Sequence, residues 1–341
     1  MKNEEQNSFL VRVSCQTYNQ ASYIEDAMNG FIIQKTTFPF VCTIVDDAST
    51  DGEPDIIKSY IERYFIFSET DSCIKETDDY RLYYARHKEN SNCFFCVVLL
   101  KYNHYSFQKA KSPYFKEWTD TKYIATCEGD DYWTDPSKLQ MQVDFMEANP
   151  EYGLCYTKVK RYNQSLNKFE KREWGGASET FDDLICENTI PTLTVLRKVE
   201  AMNKYFEIIK PSEKKWKMGD YPQWLWFSHE YKVKFIPVVT GVYRILENSA
   251  SHFQNNKQGE DFIRSTHAMK SFYISYFNRQ DLESRNDLNL GLFNYAIRSN
   301  NRERAISLFY NINKPKINTI IKYYIARIPI LYKICKGRLF F

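Results

Sequence analysis

The run Phe40-Val41-Cys42-Thr43-Ile44-Val45 is almost wholly apolar, lacks the alternation of a half-solvated strand, and stops abruptly at Asp46-Asp47. A strand apolar on both sides must be covered on both sides, the situation of a strand inside a parallel sheet with helices on its faces. The flanking sequence agrees. Phe9 to Cys15 is an earlier β-rich run, and Ser22-Tyr23-Ile24-Glu25 after it has the spacing of a capping box. Ile24, Ala27, Met28 and Phe31 then share one helical face, as do Ile57, Tyr60, Ile61 and Tyr64 after Pro54. The order β–α–β–α predicts an open α/β sheet flanked by helices.

A second stretch repeats this logic. Tyr123-Ile124-Ala125-Thr126-Cys127 is a short apolar run that ends in Glu128-Gly129-Asp130-Asp131, followed by Tyr132-Trp133. Asp135-Pro136 reads as an N-cap with proline in the first turn, and Leu139, Val143 and Met146 recur at helical spacing. Both acidic clusters are thereby predicted at the C-terminal ends of strands, the edge where open α/β sheets bind ligands. Clustered carboxylates repel one another unless a positive partner joins them. A hard divalent cation such as Mg²⁺ or Mn²⁺ suits oxygen ligands and shares them with substrate phosphates. The plainer alternative is that both clusters are solvated turns capping the following helices. No G-x-G-x-x-G or Walker A run is present, so bound phosphates would depend on a cation rather than on a glycine cradle.

The remaining chain carries less regular signals. Residues 65–79 read as an irregular polar excursion, Arg81 to Ala85 as a strand, Phe94 to Lys111 as a helix, and Glu117-Trp118 as part of a short helix. Strands are predicted over Tyr152 to Val159, Thr192 to Leu196 and Tyr231 to Val239, a loop at Gly175-Gly176 and a short helix over Thr180 to Cys186. Asp220 precedes an aromatic-rich helix, where it is either an N-cap or a general base whose apolar surroundings raise its pKa. Arg244 and His252 follow the last strand and could flank a diphosphate, although a lone histidine is more often structural. From Phe262 onward the pattern is helical: Ile263 to Tyr276, Leu290 to Ser299, Arg302 to Asn311, and a last segment from Ile317.

The net charge of +3 over 341 residues provides no field that would favour nucleic acid. Of nine cysteines, Cys15, Cys42, Cys127 and Cys155 sit in apolar runs as small hydrophobes, and Cys93-Phe94-Phe95-Cys96 has no second pair to complete a zinc site. No apolar stretch approaches the ~20 residues that span a bilayer, and the polar start from Met1 to Ser8 is unlike an ordinary signal peptide, which predicts cytoplasmic residence. Lys314 to Phe341 holds seven basic and no acidic residues among Ile320, Ile321, Tyr324, Ile325, Ile328 and Leu331. Such a segment either packs on the domain or lies on an anionic membrane surface.

Val13-Ser14-Cys15-Gln16-Thr17-Tyr18-Asn19-Gln20, then Ile44-Val45-Asp46-Asp47-Ala48-Ser49-Thr50-Asp51-Gly52, then Cys127 to Trp133 resemble, in that order, a family 2 glycosyltransferase of the GT-A fold. The resemblance spans roughly residues 8–252. It implies a Rossmann-like, mostly parallel sheet as a domain over 1–255, with a helical extension over 256–341. It implies inverting transfer of a sugar from a nucleoside-diphosphate donor, UDP-linked by family habit, to a glycan or lipid-linked acceptor, as in bacterial surface polysaccharide assembly. Carried over by position, Thr17, Tyr18, Asn19, Asp47 and Asp130 are nucleotide contacts. Asp130, Asp131 and His252 are candidates for Mg²⁺ or Mn²⁺. Glu128, where the family more often has Asp, lies with Tyr243 and Arg244 at the diphosphate and donor sugar, and Asp220 is the base, preceded by Gly219 where the family often has Glu. The rival readings are a sugar nucleotidyltransferase, which would release pyrophosphate, and a non-catalytic nucleotide- or sugar-binding module.

Overall fold

The computed structural model describes residues 9–68, 72–118, 120–246, 253 and 255–335. Twelve strands join in one sheet among them: β1 Val11–Thr17, β2 Phe40–Asp46, β3 Phe65–Ile66, β4 Cys73–Glu76, β5 Tyr80–His87, β6 Cys93–Leu100, β7 Tyr123–Thr126, β8 Tyr132–Trp133, β9 Tyr152–Asn163, β10 Lys168–Phe169, β11 Leu196–Lys198 and β12 Lys232–Ile245. The helices are α1 Ile24–Ile32, α2 Glu53–Tyr64, α3 Lys138–Ala148, α4 Phe181–Cys186, α5 Val199–Ile209, α6 Tyr221–Glu230, α7 Asn256–Tyr276, α8 Leu288–Arg298, α9 Arg302–Phe309, α10 Ile317–Arg327 and α11 Pro329–Cys335. The strand order is β3-β5-β6-β2-β1-β7-β11-β9-β12-β8, with β4 on β5 and β10 on β9.

The centre of the sheet, β6-β2-β1-β7, is parallel, and β12 also runs parallel to β9. Antiparallel pairings occupy the margins and the β11 and β8 positions. Every residue of β2 is buried, as its unalternating apolar run requires. Cys42 and Ile44 pack in a core with Phe31 of α1, Ile57 of α2 and Val143 of α3. Val41 and Val45 pack on the opposite face with Leu82, Val98 and Phe115.

Residues 94–111 are a correction. Cys93 to Leu100 form β6, paired in register with β2 and antiparallel to β5, and only a loop follows. A continuous apolar run carries no period that separates strand from helix. Burial on both faces beside β2 decides it. Cys93 and Cys96 therefore point to opposite faces, one in each core, as period-2 alternation of a three-residue offset demands. Two helix starts also differ. The N-cap of α1 is Tyr23, with no side-chain cap bond, so the Ser22 capping box does not form. Helix α3 begins at Lys138 after Ser137, while Asp135 Oδ1 accepts from Ser137 N at 2.8 Å in a turn that precedes it. The segment Thr192–Thr194 is a 3-10 turn, and strand begins only at Leu196.

The chain divides into two compact units. The first comprises Met1–Thr180, Thr189–Ile208 and Phe227–Leu246 and contains the whole sheet. The second comprises Phe181–Asn188, Ile209–Trp226 and Glu247–Phe341. Its core gathers Leu292, Phe293, Ile297, Ala305, Tyr323 and Tyr332. Among the described residues no helix is long and apolar enough to cross a membrane.

Candidate active site at the C-terminal edge of the sheet

Three separate sequence motifs meet at the carboxyl ends of β1, β2 and β7. Thr17, the last residue of β1, pairs in register with Asp46, and its carbonyl accepts from Asp47 N at 3.1 Å. On its other side lies Gly129, whose N–H donates to Gln16 O at 3.2 Å. A Cβ on Gly129 would stand 2.6 Å from Gln20 Oε1, 2.8 Å from Thr17 Cβ and closer still to Thr17 Oγ1. Glycine is required there because two loops touch, which brings the Glu128–Asp131 cluster against the end of β1.

Glu53, at the start of α2, is the buried hub of this edge. Its Oε1 pairs with the Thr17 hydroxyl, and its Oε2 accepts from Gln20 N at 2.8 Å and Ser49 Oγ at 2.9 Å. Burial pushes its pKa up, against those hydrogen bonds. The turn 17–21 is tied to the turn 46–53 elsewhere as well. Asn19 N donates to Ser49 Oγ, Thr50 N donates to Asn19 Oδ1, and Ala21 N donates to Asp51 Oδ2. Asn19 takes a left-handed φ of 53°, which asparagine tolerates well. Tyr18 projects from this frame and is 49% exposed. No sequence signal singled out Glu53 or Gln20; what reveals them is their hydrogen bonding across the sheet.

Asp46 and Asp47 play different parts. Asp46 is fully buried, and Oδ2 accepts from Ser49 N at 3.1 Å, whereas Oδ1 is buried with no hydrogen-bond partner. Burial raises its pKa. Asp47 is 2% exposed and engages the loop after β6. Its Oδ1 accepts from His104 N at 2.7 Å, and its Oδ2 accepts from Tyr105 N at 3.1 Å and pairs with Lys111 Nζ at 2.9 Å. Burial works to raise the Asp47 pKa, but Lys111 and the two N–H donors outweigh it and hold the carboxyl below its ordinary value. Asn103 Nδ2 adds a bond to the Asp47 carbonyl at 3.1 Å. Residue order carries no trace of this loop's attachment, because residues 103–111 lie more than fifty positions away from Asp47.

The second cluster is organised by Arg244 of β12. Its backbone N–H donates to Asp131 Oδ1 at 2.7 Å, and Nη1 donates to Asp130 O at 2.8 Å. Nη2 forms an ion pair with Asp26 of α1, and the guanidinium lies over the rings of Tyr132 (4.7 Å) and Tyr23 (5.0 Å). Arg244 is thereby a strut under the acidic loop, 6% exposed. Tyr243 sits edge-on against Trp174, with centroids 5.2 Å apart. Burial raises the pKa of Asp130, and that of Asp131 rises well above the ordinary range through burial first and then the neighbouring Asp130 charge. Glu128 is exposed.

Two adjacent carboxylates short of positive charge suit a divalent cation. Among the described residues no group of three or more His, Cys, Asp or Glu side chains is placed to hold a metal. His252 lies outside the described residues. Asp220, in the second unit, stands at the N-terminus of α6, where its Oδ1 accepts from Tyr221 N at 2.7 Å and its carbonyl from Gln223 N and Trp224 N. The thiols of Cys15 and Cys127 are pushed well up by burial, so neither is a ready nucleophile.

The sequence profile described as glycosyl transferase family 2 matches residues 15–208. The chain belongs to this family. Among curated relatives, an uncharacterised protein of Mycobacterium tuberculosis (strain H37Rv) is 33% identical over 186 residues, covering 53% of this chain and 44% of that protein. TuaG of Bacillus subtilis, provisionally assigned as a teichuronic acid biosynthesis glycosyltransferase, is 27% identical over 187 residues, covering 55% of this chain and 61% of TuaG. The matched part of the chain thus spans less than two thirds of either relative. Two solved structures share the GT-A fold of this family 2 chain. Staphylococcus aureus TarS 1–349 with UDP-GlcNAc superposes at a TM-score of 0.52 with 16% identity, covering 93% of this chain and 79% of TarS. A mannosyltransferase of Pyrobaculum calidifontis with GDP-Man and Mn²⁺ gives 0.55 with 12% identity, covering 98% and 88%.

Proposed function

We propose that this family 2 chain is an inverting glycosyltransferase that moves a sugar from a UDP-linked donor to a hydroxyl of a glycan or lipid-linked acceptor, in bacterial surface polysaccharide assembly at the cytoplasmic face of the membrane. The observation that carries the reading is the meeting of Thr17, Asp46-Asp47 and Glu128–Asp131 at one sheet edge, with Gly129 pressed against Thr17. The relatives add support, since TarS binds UDP-GlcNAc and TuaG is provisionally assigned to teichuronic acid biosynthesis.

In this reading the turn 17–19 and Asp47 receive the nucleotide, with the exposed Tyr18 ring along the base. Asp130 and Asp131 would hold Mg²⁺ or Mn²⁺, and Glu128 and Tyr243 would face the diphosphate and donor sugar. When bound, the cation supplies counter-charge for the departing diphosphate. Arg244 keeps the carboxylates aimed by holding Asp130 O and Asp131 Oδ1 from beneath. Asp220 accepts the proton of the acceptor hydroxyl as its oxygen bonds to the anomeric carbon. The bond from that carbon to the diphosphate oxygen breaks, UDP leaves with the electron pair, and the centre inverts. General-base assistance of this kind is worth roughly 10²–10⁴-fold.

The test is UDP release from a panel of UDP-sugars with a polysaccharide or lipid-linked acceptor and Mn²⁺, using the full chain. Acceptor-dependent UDP release is the expected result. No UDP release from these donors, with pyrophosphate released instead when a nucleoside triphosphate and a sugar 1-phosphate are supplied, would establish the nucleotidyltransferase. Nucleotide binding without turnover across donors and acceptors would leave a binding module and overturn the proposal.

A further inference from the structure

Helices α10 and α11 carry two apolar faces, and only one of them is used. Thr319, Tyr323 and Ala326 face inward, where Tyr323 stacks on Phe309 with centroids 3.9 Å apart. In α11, Tyr332 is buried and its hydroxyl donates to Ile297 O at 2.8 Å. The second face points to solvent. Ile317 (73% exposed), Ile321 (49%) and Tyr324 (59%) follow one another at steps of four and three, a single helical stripe on α10, and Ile328 (47%) is exposed at the cap that ends it. Just beyond it, Ile330 (73%), Leu331 (41%) and Ile334 (69%) are exposed as well.

A helix end face that water alone covers is ordinarily polar. Scattered apolar residues need no explanation, but a contiguous set marks an interaction site. Its surroundings say which kind. From Lys314 to Cys335 the chain contains Lys314, Lys316, Lys322, Arg327 and Lys333 and no acidic residue.

We infer that α10 and α11 form a docking surface for an anionic lipid bilayer, with the isoleucines entering the headgroup–acyl boundary and the cations meeting lipid phosphates. Three observations select this occupant. Cations flanking an exposed apolar stripe complement a negative membrane surface. A second copy of the same face would oppose like charge to like charge across an isologous interface. With 11 and 7 residues, the helices are too short to cross the hydrocarbon core and suit an in-plane position. The inference does not depend on the transfer reaction, because no residue of the proposed active site takes part in it.

The test is co-sedimentation of the full chain with vesicles of phosphatidylcholine alone or mixed with phosphatidylglycerol. Binding is expected to the mixed vesicles, weakening as salt rises. Lys316→Gln and Lys333→Gln should each weaken it about fivefold, and Ile330→Asn combined with Ile334→Asn should abolish it. These side chains face solvent, so circular dichroism and UDP binding should stay as in the wild type. Equal binding to both vesicle types, or binding untouched by the isoleucine substitutions, would overturn the inference. So would a dimer in solution that the isoleucine pair converts to monomer, since the face would then join two copies. If the isoleucine variants fail to fold, salt dependence and the lysine variants still decide the matter.

Discussion

Replacing Gly129 by alanine tests whether the acidic loop is positioned by contact with the end of β1. The added methyl would lie 2.6 Å from Gln20 Oε1 and 2.8 Å from Thr17 Cβ, well inside van der Waals contact. Neither neighbour is free to give way. Thr17 is buried and paired with Glu53, and Gln20 is tied at both ends, its backbone N–H donating to Glu53 and its Oε1 accepting from the Thr17 hydroxyl. Overpacking of this kind costs about 1–3 kcal/mol, which lowers a melting midpoint by about 2–4 °C per kcal/mol in a unit of this size. The strain also moves the loop that bears Asp130 and Asp131, and misplacement by ~1 Å can reduce turnover about a hundredfold. Gly219→Ala is the control: among the described residues no atom beyond its chain neighbours lies within 4 Å of its would-be Cβ, and its stability should stay within about 0.5 kcal/mol of wild type. Thermal unfolding, calorimetry with UDP and Mn²⁺, and UDP release measure the three effects. Thr17→Ala removes the nearest clashing atom, so the double variant should recover part of the loss, with a coupling of about 0.5–3 kcal/mol. If Gly129→Ala melts with the wild type and the two substitutions are simply additive, the loop is not seated as described.

Asp220→Asn should preserve UDP binding by calorimetry while turnover falls by at least about a hundredfold; wild-type turnover would remove it as the base. Asp131→Asn should raise the melting midpoint at neutral pH, because it deletes a buried charge beside Asp130 while its Oδ1 can still accept from Arg244 N. The same variant should lose the Mn²⁺ dependence of UDP binding. Lys111→Met should destabilise the fold by about 1–3 kcal/mol at neutral pH by stranding a buried carboxylate. The sign of its pH dependence follows from Asp47, whose folded pKa is depressed. That stabilisation is present above the ordinary aspartate range and is lost as pH falls through the folded value, so urea titrations of wild type and variant should converge in acid.

Much of the scaffold was readable from residue order. The unbroken apolar run of β2 demanded burial on two faces, and the abrupt change to carboxylates after β2 and β7 marked both strand ends on the ligand edge. The faces of α1, α2 and α3 followed from helical spacing, and Ile24, Ile61 and Val143 are buried as that spacing requires. Other features had no such signal. The apolar run opening residues 94–111 suits helix as well as strand in isolation; the place of Cys93–Leu100 between β2 and β5 makes it a strand. The capping box at Ser22 and the cap at Asp135 were locally plausible, yet the N-caps of α1 and α3 fall one and two residues later.

What the sequence determined alone is the set of properties with a short period: which runs are covered on two faces, where they stop, and that α10 has an apolar stripe among lysines. The tertiary structure decided what each charge meets. Arg244 reaches Asp26 and the acidic loop, Lys111 reaches Asp47, and Glu53 joins two turns. Those partners are separated by tens to hundreds of residues, and a pairing between distant side chains leaves no periodic trace. It exists only because the sheet order brings the strand ends side by side, where burial strengthens every hydrogen bond and penalises every carboxylate left without one.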